Sequence, residues 1–306
     1  MSIAIITDST AYLDPDTIQQ ASNLFVLPVP VLWQGHTYAD MVDLQPDTFF
    51  AQLAQTAEAP TTSMPSMGEI DRLLSQLTAQ GFDDAIIIPM SAGISSFASV
   101  LHEFDDRDTP HVHLFDTKST AGGNNLLVHL ALSLADHDFD APTILTALTE
   151  LRDSMTIEFV VQDLRHLQKT GRINGAERLL ASLFHVCPVL EMDTHETGEI
   201  RPMAKERTEK RALAHIQTDI DTTLTDSAAQ KYPYRAVVFD GNYAEAKADW
   251  LSHLEATFPA MTFDSSFIGP AIGCHTGSGV LGIAWAYDWQ AMTAQLLEQR
   301  TLTSAK

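Results

Sequence analysis

The apolar and polar positions of this chain follow two rhythms, and the change between them falls near its middle. In the first half, short apolar runs recur: IAIIT at the start, FVLPVPVLW from Phe25, AIIIPM around Ile86 and VHLFD ending at Asp116. Runs of about four to eight such residues bounded by turn formers read as buried strands. Between them Ile70, Leu73, Leu74 and Leu77 recur at helical spacing, a helix follows Asp14-Pro15, and AGGNNLLVHLALSLA reads as another. Strand alternating with helix predicts a parallel α/β sheet covered by packing helices.

From about residue 157 the texture changes. PVLEMDTHETGEIRPMA predicts a hairpin turning at Thr197-Gly198, followed by a helix, the strand YRAVVFDG, a further helix and two glycine-flanked strands. This predicts a two-domain α/β protein, with a parallel α/β N-terminal domain over 1–156 and an α+β C-terminal domain over 157–306. No repeat, low-complexity tract or Pro/Ser/Gly-rich linker separates them, so a broad interface is expected, and such interfaces favour ligand pockets.

Composition narrows the function. The 306 residues are 45% hydrophobic and 19% charged, as in a globular protein with a substantial core. A net charge of −22 argues against nucleic acid, which needs a basic face, and an anionic membrane would repel the same surface. No run approaches the length of a membrane helix, so no stable membrane insertion is expected. Cys187 and Cys274 have neither metal spacing nor the count of a disulfide scaffold, and MSIAIITDST has no signal-peptide features; a cytoplasmic location is expected.

Several stretches could carry chemistry. Strand ends run into hydroxyl-rich turns at Asp8-Ser9-Thr10, Thr62-Ser63-Met64-Pro65-Ser66, Ser91 to Ser96 and Asp116-Thr117-Lys118-Ser119. In an open parallel sheet such ends line the ligand crevice, and hydroxyls with free N–H groups suit a carboxylate or phosphate. Taken singly, most such residues are helix N-caps. Ser95, His275 and Asp8 allow a serine-nucleophile reading, although Gly93-Ile94-Ser95-Ser96-Phe97 lacks the second glycine of a nucleophile elbow. His111, His113 and Asp116 read better as strand residues than as metal ligands, and no metal is expected. Basic residues cluster at Leu167 to Asn174 and from Arg201 to Arg211.

Gly277, Gly279 and Gly282 have the spacing of a dinucleotide fingerprint, but GIAWAYDW after them reads as a strand where that motif needs a helix. No phosphate-binding G-x-x-x-x-G-K-[ST] loop is present either.

Thr7 to Thr10, the Thr-Ser-x-Pro-Ser turn at Thr62, Ser91 to Ser96, Asp116-Thr117, the Gly171-Arg172-Ile173 segment and the His275-Thr276-Gly277-x-Gly279 turn occur in one order across nearly the whole chain. Together they resemble the DegV family of fatty-acid-binding proteins, which includes the FakB proteins. The resemblance implies a long-chain fatty acid as ligand, with no cofactor and no catalytic activity of the chain's own. It makes Thr62 and Ser95 direct carboxylate ligands, puts Arg172 and His275 beside them, and adds Ser96 and Thr276 to the binding set. It also implies a partner, a separate ATP-dependent fatty acid kinase that makes acyl-phosphate for phospholipid synthesis, with Lys205 and Arg207 as its docking patch. With the resemblance, the glycines around His275 are expected to let backbone and imidazole approach the carboxylate head group, since close approach requires the absence of Cβ. The chain departs from the family pattern at Met64, Ser96, Phe97, Thr170 and Ser278. Phe159, Leu183, Phe184, Val186, Met261, Phe263, Phe267 and Ile268 are candidates for a tail tunnel or for plain core. The alternative function is a serine hydrolase or acyl transferase using Ser95 and His275; a dinucleotide enzyme ranks below both.

Overall fold

The computed structural model describes residues 2–173, 186–226 and 231–304; Asn174, Leu183 and Phe184 lie outside them. The first apolar run forms β1 (Ile3–Asp8), buried along its whole length. It lies between β2 (Leu24–Leu27) and β6 (Asp84–Ile88), and β7 (His111–Leu114) completes a parallel sheet in the order β2-β1-β6-β7. Its central strands are continuously apolar because helices cover both faces. One face takes the helix Met67–Gln80 through Ile70, Leu74 and Leu77. Ser66 and Glu69 close a capping box at that helix's start, and Gly81 ends it in the left-handed region at φ 87°.

FVLPVPVLW is not one strand. β2 ends before Pro28, and β3 (Pro30–Trp33) turns away to pair antiparallel with β4 (His36–Ala39) and β5 (Thr61–Thr62). Two prolines flanking Val29 remove the N–H groups that a continued ladder needs, so the chain changes sheets there. The helix Pro46–Leu53 packs Phe49 and Phe50 against this small sheet.

The second half builds a mixed sheet in the order β10-β9-β8-β13-β11-β12. Its strands are β8 (Thr156–Val160), β9 (Cys187–Met192), β10 (Ile200–Glu206), β11 (Tyr234–Gly241), β12 (Thr262–Phe267) and β13 (Val280–Tyr287). Only β11 and β12 pair in parallel. Ile216, Ile220, Trp250 and Leu254 from the helices Glu209–Asp226 and Ala244–Thr257 cover one face. The other face carries Phe159, Val237, Phe239 and Val280 toward the helix Ala121–Asp136. That helix also packs on β1 and β6, so it is shared by both sheets, which explains why it is apolar on nearly every side.

One short helix, Pro270–Thr276, crosses back from the second half to touch β3, β5 and the helix Pro46–Leu53. Gly273 makes the approach possible, since a Cβ there would sit 2.7 Å from the Phe49 ring. Among the described residues, no helix is long and apolar enough to cross a membrane.

Candidate functional site

Where β5, the turn after β6 and the crossing helix meet the inner face of the mixed sheet, they enclose a cavity of about 140 Å³. Thr62, Ser95, Ser96, Arg172, His275 and Thr276 all line it, contributed by both halves of the chain. The hydroxyl-rich turns supply Thr10, Thr62, Ser95 and Ser96, and Thr120 follows directly after the fourth. Opposite the polar wall stand Ile157, Phe159, Met192, Phe239 and Val280 from the sheet. Lys205 and Arg207 are remote from the cavity: both are exposed, on and just beyond the edge strand β10.

The polar wall is built from neutral donors. Thr62 Oγ1 and His275 Nε2 lie 2.8 Å apart. His275 is half-buried, and its desolvation together with the Arg172 charge pushes its pKa down to about 4, so the imidazole is neutral near pH 7. Its Nδ1 is enclosed with no hydrogen-bond partner among the described residues, so the ring proton belongs on Nε2, where Thr62 can accept it. The Thr62 hydroxyl hydrogen is then free to point into the cavity. Ser95 repeats this logic: its Oγ accepts the Phe97 N–H at 3.1 Å, and its own hydrogen is left to donate. Thr276 differs, because its hydroxyl bonds the carbonyls of Ile272 and Gly277, both at 3.2 Å. Ser96 Oγ lies 3.9 Å from the sulfur of Met64. Arg172 donates from Nη1 to the Thr170 carbonyl at 2.9 Å, which holds its charge at the cavity's edge.

Buried carboxylates brace this wall. Asp8 accepts from the N–H and hydroxyl of Thr10 and, at 2.6 Å, from the N–H of Met90, tying the ends of β1 and β6 together. Burial raises its pKa despite those bonds. Asp40 accepts from the Ser9 hydroxyl at 2.6 Å and from the Ala271 N–H at 3.0 Å, which anchors the start of the crossing helix to the first half. Burial pushes its pKa up to about 7.

The serine-nucleophile reading needs a base oriented by a carboxylate. Asp8 spends its oxygens on Thr10 and Met90, His275 has no partner at Nδ1 among the described residues, and the His275 Nε2 partner is Thr62 in place of Ser95. A base with a pKa near 4 would also be a weak acceptor at neutral pH.

The C-terminal glycines serve close packing. A Cβ at Gly277 would sit 2.8 Å from the His166 ring, one at Gly279 would sit 2.5 Å from Gln162, and one at Gly282 would sit 2.5 Å from the Phe239 ring. They therefore make room for three of the protein's own side chains. The order here is helix, turn, strand, the reverse of a dinucleotide fingerprint.

Other candidates fall into structural roles. Ser66 is an N-cap. Asp116 accepts the N–H groups of Ala92 and Lys118, bracing the Ser95 turn from outside the cavity. His113 bonds Asp84 at 2.7 Å, and among the described residues no group of three or more ligating side chains could hold a metal. Arg201 pairs with Glu191 and Asp193. Of the tail candidates, Phe159 and Ile268 line the cavity, whereas Met261 and Phe263 belong to the core beneath the opposite face. Val186 is half-buried away from the lining, and Phe267 packs on Tyr12 with ring centroids 5.4 Å apart. Sequence reasoning missed Phe239, Met192 and Ile200, whose alternation in ordinary strands carries no mark of a ligand.

The arrangement defines a class: an α/β protein with a parallel N-terminal sheet, a mixed C-terminal sheet and a small three-stranded sheet, whose cavity is lined by hydroxyls and an arginine together with aromatic and aliphatic side chains. The DegV family model matches residues 2–288, and the chain belongs to that family. It is 32% identical to protein DegV of Bacillus subtilis over 289 residues, covering 94% of this chain and all 100% of that one. A DegV domain-containing protein of Listeria innocua is 32% identical over 285 residues, with 93% and 98% covered. Among solved structures, DegV from Bacillus subtilis, a fatty acid binding protein, superposes with a TM-score of 0.83 at 31% identity, covering 94% of this chain and 99% of that one. A fatty acid binding DegV family protein of Streptococcus agalactiae gives 0.84 at 29% identity, with 94% and 99% covered.

Proposed function

We propose that this protein binds a long-chain fatty acid in the cavity where its two halves meet. In this reading the carboxylate takes hydrogen bonds from Thr62 and Ser95. Ser96, Arg172, His275 and Thr276 border it, and the tail lies along the sheet toward Phe159 and Phe239. The observation that carries the reading is the pair of hydroxyls at Thr62 and Ser95 lining a mostly apolar cavity, the first 2.8 Å from His275 Nε2 and the second accepting the Phe97 N–H. Such a wall suits an anion, and the opposite wall suits a hydrocarbon, each buried methylene being worth about 0.8 kcal/mol. The fatty-acid-binding relatives of the same fold support the same ligand.

The protein's role in this reading is presentation. A separate fatty acid kinase supplies ATP and makes acyl-phosphate for phospholipid synthesis in the cytoplasm, while this chain holds the acid. Support comes from a sequence without a phosphate-binding loop and from exposed Lys205 and Arg207, part of the basic cluster from Arg201 to Arg211 in a chain of net charge −22. Titration of delipidated protein with palmitate and with methyl palmitate tests the binding site: the acid should bind and the ester, lacking the charge, should bind far more weakly. Equal binding of both would contradict the carboxylate site. Addition of a fatty acid kinase and ATP should convert the bound acid, and Lys205→Glu/Arg207→Glu should slow conversion without changing acid affinity.

A further inference from the structure

Phe159, Gly282 and Phe239 are register partners on three neighbouring strands, β8, β13 and β11, and both phenylalanines line the apolar wall of the cavity. Side chains standing opposite one another across a sheet compete for the space above it. Here the middle position has no side chain, and its two neighbours close over it: a Cβ at Gly282 would sit 2.5 Å from Cε2 and 2.6 Å from Cζ of Phe239, and 2.7 Å from Cβ of Phe159. On its other edge the ring meets a second glycine, since a Cβ at Gly122 of the helix Ala121–Asp136 would sit 3.1 Å from Cδ1. Phe239 is 3% exposed, clamped between sheet and helix with the rest of its ring at the lumen.

We propose that Phe239, laid down over Gly282 and held by Gly122, is the end stop of the acyl channel and sets the length of fatty acid that the protein accepts. The inference rests on the fatty-acid reading above and names the part of that site that discriminates among acids. The polar wall fixes where the carboxylate begins, so the position of the far wall fixes how many methylenes fit. The glycine seat makes that position discrete. With the seat free the ring lies flat and the channel is long; with the seat filled the ring stands into the lumen, because a contact near 2.5 Å has no relaxed solution that keeps it in place. Truncating the ring lengthens the channel, and filling the seat shortens it.

The test uses the full chain, delipidated, and a homologous series of saturated acids from dodecanoate to eicosanoate, with affinities measured by displacement of a fluorescent fatty acid. The wild-type protein should show an optimum within the series. Phe239→Ala should move the optimum to longer acids, each newly accommodated methylene raising affinity about fourfold. Gly282→Ala should move it to shorter ones. Phe239→Leu, a milder change that keeps the core filled, should shift it in the same direction as Phe239→Ala and keeps the test valid if either other variant fails to fold. Binding of the series with an optimum unchanged by the Phe239 variants would overturn the end-stop inference and leave the fatty-acid reading intact. Failure of wild-type protein to bind any acid of the series would overturn the fatty-acid reading itself.

Discussion

Thr62 and His275 stand 213 positions apart in sequence and meet at 2.8 Å across the join between the two halves of the fold. The imidazole sets the Thr62 hydroxyl so that its hydrogen faces the cavity. The hydroxyl should therefore matter more than the ring that orients it. Thr62→Val, which removes the donor, should weaken fatty-acid binding by about 1–3 kcal/mol, whereas Thr62→Ser should restore most of it. His275→Ala should cost less, about 1 kcal/mol, because the threonine rotor becomes free but remains a donor. Displacement titrations on the three variants check the order; a larger loss in His275→Ala than in Thr62→Val would contradict the orientation argument.

A second prediction concerns Glu158, 1% exposed on β8 beneath the helix Glu209–Asp226, with Oε2 lacking a hydrogen-bond partner among the described residues. Burial, then the negative charges of Asp219 and Glu191, push its pKa up to about 8. The folded state therefore binds more protons than the unfolded state between the ordinary glutamate value and about 8. Its contribution to stability falls as pH rises through that window and is level above it. Glu158→Gln should match the wild type at pH near 4 and exceed it by a few kcal/mol above about pH 8, read from urea unfolding at each pH. A difference independent of pH would show that the charge is not what strains this position.

Gly93 gives a third prediction. A Cβ there would lie 2.4 Å from the Thr197 carbonyl oxygen and 2.5 Å from the Gly198 carbonyl carbon, both backbone atoms of the β9–β10 turn. The Ser91 hydroxyl donates to the Gly198 carbonyl at 2.8 Å across the same joint. Gly93→Ala should separate the turn from the Ser95 loop, lowering stability by about 1–3 kcal/mol and weakening ligand binding as well. Thermal unfolding and a displacement titration on the same variant check both, and an unchanged binding constant would show that this joint does not position Ser95.

Much of the fold was legible in local pattern. IAIIT, AIIIPM and YRAVVFDG are too short and too apolar to be anything but buried strands, and Ile70, Leu74 and Leu77 mark a packing face of a helix. FVLPVPVLW misled because its apolar content is continuous, while its prolines mark a change of partner that only the assembled sheets reveal. The candidate binding residues Thr62, Ser95, Ser96, Arg172, His275 and Thr276, far apart in sequence, line one cavity in the fold. The glycines were read too narrowly. That Gly282 seats Phe239 depends on the register of β11 against β13, and nothing in the spacing of Gly277, Gly279 and Gly282 encodes it.

The central claim is tested most directly by mass spectrometry of the organic extract of freshly purified protein beside the Thr62→Val/Ser95→Ala double variant. The account predicts a near-stoichiometric long-chain fatty acid in the wild-type extract and its sharp loss from the double variant. An empty wild-type extract, or an acid retained equally by both proteins, would contradict it.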